Sequence, residues 1–169
     1  MQVPLHFVSR PMKLGRPLES VWDYPRPPAL EPCERRVRVV HEGRTVAESD
    51  RALRVLETAG PPTIYLPPAD VHSESLQPTE GHTVCEWKGH ASYFDVFGER
   101  SRAERAAWTY ADPKQRYAEL TDYVAFYPGR VECYLDEERA RPQPGGFYGG
   151  WITDEIVGPV KGEPGSECW

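Results

Sequence analysis

Apolar and polar positions alternate along this chain in short runs, and proline or glycine separates one run from the next. RVRVVHEGRTVAES (36–49) places valines on both sides of Glu42-Gly43, which predicts a hairpin closed by a tight turn at the glycine. ALRVLET (52–58) predicts a further strand, with Leu53, Val55 and Glu57 in phase and Arg54 and Leu56 facing the other way. GPP (60–62) ends it; TIYLP (63–67) and PADVHSESLQP (68–78) read as extended segments, and TEGHT (79–83) as a turn. TVCEW (83–87) and ASYFDVF (91–97) flank Lys88-Gly89-His90 and predict a second hairpin. AAWTYA (106–111), YVAFY (123–127) and RVECYLDE (130–137) are three more strands, the last two joined by a turn at Pro128-Gly129.

A helical signature occurs at Asp112. Aspartate is a good N-cap, Pro113 suits the first helical position, and Tyr117, Leu120 and Val124 follow at helical spacing, predicting one α-helix that ends near Asp122. Many short strands with a single helix define a mostly β, antiparallel domain of the α+β kind. Its expected limits are residues 36–138, preceded by an extended proline-rich arm (1–35) and followed by a glycine-rich tail (139–169). The rings of Phe147, Tyr148, Trp151 and Trp169 should pack that tail onto the core, because large apolar side chains gain by leaving water.

Composition narrows the function classes. A chain of 169 residues can bury roughly 70% of its extended surface without metal or disulfide support. Twenty-six acidic residues against 20 basic ones give a net charge of −6, so nucleic acid is not an expected partner. There is no apolar run of the ~20 residues that spans a bilayer, and the N-terminal stretch lacks the layout of a signal peptide. The cysteines at 33, 85, 133 and 168 form no CxxC pair, so no metal site and no cofactor is expected, and the chain reads as cytoplasmic with free thiols.

WDYPRPPALEP, VAESDRALRVLE, YLPPADV, CEWKGHASY, AAWTYADP and YVAFYPGRVE, in that order, resemble proteins of the domain-of-unknown-function family numbered 427, and the GGW…GPVKGEPG…W ending resembles the tail of many bacterial members. The resemblance implies a small β-tent-like antiparallel barrel, related in architecture to methionine sulfoxide reductase B and to the thalidomide-binding domain of cereblon. Those relatives hold zinc through two CxxC pairs, which this chain lacks. A nucleotidyltransferase label also attaches to the family, but no Gly-Ser followed by an Asp-x-Asp pair occurs here. The resemblance thus implies a fold and no established reaction.

The richest stretch for chemistry is CEWKGHASY. Cys85 shares strand parity with Trp87 and reads as core; the alternative is a nucleophile with His90 as its base. Lys88 is a cation at a turn, suited to an anionic ligand or to an ion pair with Glu57. Tyr65, Trp87, Tyr93, Trp108 and Tyr110 fall in the short strands that flank these turns, and Trp108 and Tyr110 share one face. Tyrosines inside a small domain need partners for their hydroxyls, and a polar-lined concavity supplies them. The leading expectation is a small-molecule-binding protein whose site is lined by Tyr65, Lys88, Tyr93, Trp108 and Tyr110, with Glu57 and His90 as additional polar groups and a planar or anionic ligand. The alternative is an interaction module in which arm and tail engage a partner or a second copy, as a homodimer. An enzyme using Cys85 or Lys88 covalently is a third reading.

We expect purified protein to carry no stoichiometric zinc, since these cysteines cannot assemble a four-ligand site. One tightly held zinc per chain in elemental analysis would overturn this.

Overall fold

The computed structural model describes residues 12–13 and 15–169. The expected arm therefore lies partly outside the described residues, over positions 1–11 and 14. Both expected hairpins form. Val37–His41 pairs with Arg44–Ser49 across Glu42-Gly43, both at positive φ (52° and 76°), the geometry that a two-residue turn needs. Leu76–Cys85 pairs with Gly89–Phe97 across Glu86-Trp87-Lys88, so the second turn sits two residues before the expected Lys88-Gly89-His90.

Two antiparallel sheets carry the architecture. The larger has seven strands in the order Ala29–Pro32, Leu53–Leu56, Thr63–Leu66, Val124–Phe126, Arg102–Thr109, Gly89–Phe97, Leu76–Cys85. The smaller has four: Glu138–Arg139, Glu132–Leu135, Val37–His41, Arg44–Ser49. The protein is mostly β, as its alternation dictates. The large sheet is open, with free edges at Ala29–Pro32 and Leu76–Cys85, and does not close into the expected barrel. Its first strand comes from the segment read as arm.

Alternation divides the large sheet into two faces. Ile64, Leu66, Val96, Val124 and Phe126 point to the small sheet and meet Val37, Val39, Val46 and Cys133 in the principal core. Val55, Tyr65, Ala91, Tyr93, Trp108, Tyr110, Ala125 and Tyr127 cluster on the opposite face. Half-width sandwiching of this kind leaves the second face to be covered by loops and the tail.

Three local readings change. Residues 79–83 do not turn: they lie within the ten-residue strand Leu76–Cys85, where Gly81 (φ 88°) accompanies a register shift opposite Ser92 and Phe94. Glycine there marks a bulge rather than a reversal. Residues 68–75 form two 3-10 turns, Pro68–Asp70 and Ser73–Ser75, before that strand begins. The expected α-helix is helical only over Gln115–Leu120, as a 3-10 segment with Lys114 at its N-cap position and a non-helical Tyr117 (φ −113°, ψ 24°) inside. With Pro113 before it and Asp122 at φ 62° after it, too few residues remain for the cooperative α-ladder. Burial of Tyr117 and Leu120 against the sheet decides the local geometry instead.

Arm and tail are tied to the body by charge and by rings. Arg54 bonds both oxygens of Glu19 (2.6 and 2.8 Å) and also Glu31; burial disfavours its charge, but these carboxylates more than offset that and raise its pKa. Arg35 binds Asp136, Glu155 and Glu138, joining the arm to the small sheet and the tail. Trp151 is 1% exposed and donates Nε1–H to the Phe126 carbonyl at 3.0 Å. Trp169 meets Trp22 edge-on at 5.1 Å. Phe147 and Tyr148, expected to be buried as well, are exposed, with Phe147 at 62%.

Replacing Trp151 with alanine should cost about 3–5 kcal/mol, the range for deleting a fully buried aromatic ring. Urea unfolding would measure it; a loss below ~1 kcal/mol would mean that the tail does not support the body.

Candidate functional site

Cross-strand register lines up one row of side chains on the second face of the large sheet. Leu53 pairs with Tyr65, Tyr65 with Ala125, Ala125 with Trp108, and Trp108 with Tyr93. Partners in a row stand on one face and within contact distance. Ala125, the smallest member, lets its two large neighbours close over it: the Tyr65 and Trp108 rings meet at 6.2 Å and 85°, and Trp108 Nε1 donates to the Tyr65 hydroxyl at 3.4 Å. Tyr110 follows Trp108 by two residues and tilts against Tyr65 at 6.3 Å; Tyr127 follows Ala125 by two and packs on Trp108 at 4.6 Å.

Above this row lies a cavity of about 310 Å³. Tyr65, Lys88, Tyr93, Trp108 and Tyr110, the five residues singled out in the sequence, all border it, and so does Glu57. His90 does not. Its neighbours Ala91 and Tyr93 point to the aromatic cluster, so strand alternation turns His90 to solvent. Cys85 is half-buried: it packs against the cluster but also lines the cavity, so it is not the enclosed core residue that its parity with Trp87 suggested.

Lys88 is 8% exposed, and its ammonium lies 5.9 Å from the Tyr110 ring. Among the described residues no carboxylate comes within ion-pairing distance of it. The Glu57 carboxylate instead accepts the Trp87 indole N–H at 3.2 Å. Burial works against the lysine charge, yet the Tyr65, Cys85 and Glu57 side chains more than offset it, so its pKa is raised and the group stays an ammonium. The turn that aims it is held from outside. Lys114 donates its backbone N–H to the Lys88 carbonyl at 3.0 Å and its side chain to the Glu86 carbonyl at 2.5 Å. Burial pushes up the hydroxyl pKa values of Tyr65 and Tyr110, so both remain proton donors at neutral pH.

The remaining wall comes from the tail, which the sequence reading left out of the site. Phe147 and Tyr148, in contact at 5.0 Å, form the rim. Gln143 fastens that segment through the Lys161 carbonyl (2.7 Å) and the Gly150 N–H (3.1 Å), and Tyr127 donates its hydroxyl to the Phe147 carbonyl at 3.0 Å. Lys161 itself lies 4.9 Å from the Tyr148 ring. Arg105 and Arg130 stack on the lining tyrosines Tyr93 (4.1 Å) and Tyr127 (4.3 Å). Only Tyr127 had a signal in the sequence, since it repeats the parity of Ala125; the rim depends on how a glycine-rich loop returns to the sheet.

A second cavity, about 360 Å³, lies between arm, tail and the sheet edge. Its arginines are already taken, Arg54 by Glu19 and Glu31, and Arg35 by Asp136, Glu138 and Glu155. It reads as the seam of an ion-pair network. The aromatic cavity keeps a buried ammonium that no carboxylate of the described residues touches, and it is the candidate site.

An open antiparallel sheet with a ring-lined cavity on one face, roofed by a glycine-rich tail, is the class of protein that fold and site define. A family model described as "Domain of unknown function (DUF427)" matches residues 29–137. The chain belongs to that family. No curated protein matches its sequence.

Gly149 tests the roof. A Cβ there would lie 2.1 Å from the Trp108 ring, so nothing larger than glycine fits without movement. Gly149→Ala should cost about 1–3 kcal/mol and alter the near-ultraviolet circular dichroism of Trp108. Unchanged stability and spectrum would contradict this close approach.

Proposed function

We propose that this protein binds a small planar molecule carrying an anionic group, with Lys88 as its counter-ion and the rings of Trp108, Tyr110 and Tyr65 against its flat face. The observation that carries this reading is the Lys88 ammonium, nine-tenths buried and without a carboxylate partner, at an aromatic cavity. A buried charge is best held by a counter-ion in contact with it; Tyr65, Cys85 and the more distant Glu57 offset the burial of Lys88, but no described carboxylate touches it. A ligand anion would supply the missing partner, while the ring faces would supply contact area and the tyrosine hydroxyls orientation. At about 310 Å³ the cavity suits a molecule of one or two rings.

The surrounding charge supports the same sign of ligand. At the cavity wall Lys88 and Lys161 are matched in number by Glu57 and Glu86, and Arg105 and Arg130 on the lining tyrosines tip the balance to positive in a chain whose net charge is −6. The interaction-module reading is less favoured, because a docking module has no need of an enclosed ammonium. Four unpaired cysteines are in keeping with a reducing, cytoplasmic setting. No helix among the described residues is long and apolar enough to cross a membrane.

Benzoate and benzamide differ in charge and little else, so they separate the anion requirement from ring stacking. We expect benzoate to quench the tryptophan fluorescence saturably and benzamide to bind at least about tenfold more weakly, a difference of ~1.4 kcal/mol. Lys88→Met should remove that preference. Equal affinities in the wild-type protein, or no saturable quenching by either compound, would refute the reading.

A further inference from the structure

The four cysteines occupy three kinds of surroundings. Cys33 and Cys133 are buried, and burial pushes both thiols up; Cys168 is exposed in the tail. Cys85 alone is half-buried at a cavity. Its place follows from the hairpin: Cys85 pairs with Gly89, and Lys88 is the last residue of the three-residue turn between them. Thiol and ammonium therefore stand at the two ends of one turn and border the same space. The second observation is Lys88 itself, nine-tenths buried and bordering the same cavity, with no carboxylate in ion-pairing contact among the described residues.

A group that holds the anionic end of a molecule fixes where its neighbouring carbon can lie. Such positioning converts a bimolecular encounter into an effectively intramolecular one. We propose that the cavity is a covalent-capture site: it takes a small carboxylate whose adjacent carbon is electrophilic, Lys88 docks the carboxylate, and Cys85 bonds to that carbon. This rests on the anion-binding reading above and extends it from binding to bond formation. With an α-oxo acid the Cys85 S–H bond breaks, an S–C bond forms at the carbonyl carbon, and the C=O π bond opens. The thiol proton ends on the former carbonyl oxygen, giving a thiohemiketal. Nothing is oxidised or reduced overall and no co-reactant is consumed. The Tyr65 hydroxyl accepts from Trp108 at 3.4 Å, which leaves its own proton to donate to that oxygen as charge develops.

Iodoacetate and iodoacetamide test this without a known substrate. In both reactions the Sγ–C bond forms as C–I breaks, iodide leaves and the thiol proton is lost to solvent. The ratio of the two rates cancels the ionisation of the thiol and reports only how the site treats the negative charge. Exposed Cys168, in the same molecule, gives the reference ratio. Peptide mass spectrometry of the native protein should find the iodoacetate-to-iodoacetamide ratio at Cys85 about tenfold or more above that at Cys168. In Lys88→Met it should fall to that of Cys168, and benzoate should protect Cys85 in the wild-type protein. A Cys85 as inert as Cys33 and Cys133, or one with the same ratio as Cys168, would overturn the proposal. Benzoate titration of Cys85→Ala tells the two failures apart. Retained, charge-selective benzoate binding beside an inert Cys85 leaves the binding reading standing and removes the nucleophile. Absence of charge-selective binding removes both.

Discussion

A strand must send successive side chains to opposite faces, and this protein has two uses for those faces. One face of the seven-stranded sheet has to be dry and aliphatic, because the four-stranded sheet packs on it through Val37, Val39 and Val46. Ile64, Leu66, Val124 and Phe126 are committed to that face. Their sequence neighbours Tyr65, Ala125 and Tyr127 are then placed on the other, whatever their chemistry. With Trp108 and Tyr93 brought into the same row by register, the ring-rich face is a geometric consequence of building the core on its back. A one-residue slip in any of these strands would exchange the two sets and destroy core and cavity together.

The row also explains why the second face is concave. Five bulky residues in register would make a flat, filled layer. Ala125 interrupts it, so Tyr65 and Trp108 lean over a short side chain and meet edge to face. Gly149 completes the shape from above, where the tail backbone approaches the Trp108 ring more closely than a Cβ would allow. The tail can be brought there because Trp151, two residues on, is buried in the principal core and bonded to Phe126 of the central strand. A core residue of the tail thus sets the height of the roof.

Much of this was legible because strand parity is local. Trp108 and Tyr110 share a face in any strand that contains both, and Glu42-Gly43 predicts its turn from two residues. The five cavity residues sit in or beside such strands. What failed depended on tertiary pairing. Gly81 looks like a turn until the bulge opposite Ser92 and Phe94 is known, and the helix signature at Asp112 gives way when Tyr117 and Leu120 are drawn onto the sheet. His90 was placed near Lys88 by adjacency in sequence, but across a turn adjacency says nothing about the face. The rim of Phe147 and Tyr148 had no periodic signal at all, since loop residues take their position from contacts such as Gln143 with Lys161 and Gly150.

The separation of Glu57 from Lys88 is the last element that the arrangement has to explain. Both border one cavity with opposite charges, and an ion pair between them would be the simplest way to offset burial. Trp87 stands between these roles. Its indole N–H takes the Glu57 carboxylate, while the turn that carries Trp87 is fixed by Lys114 on its outer side and delivers Lys88 inward toward Tyr110. Glu57 is thereby spent on a hydrogen bond at the edge, and the lysine is held among rings, where a cation gains from their negative faces but is not neutralised. Ring faces compensate a buried ammonium only in part, by about 0.5–2 kcal/mol in comparable settings. Tyr65, Cys85 and the more distant Glu57 make up the rest, yet no described carboxylate touches the ammonium, and that arrangement is built into a turn whose geometry does not need an anion to form.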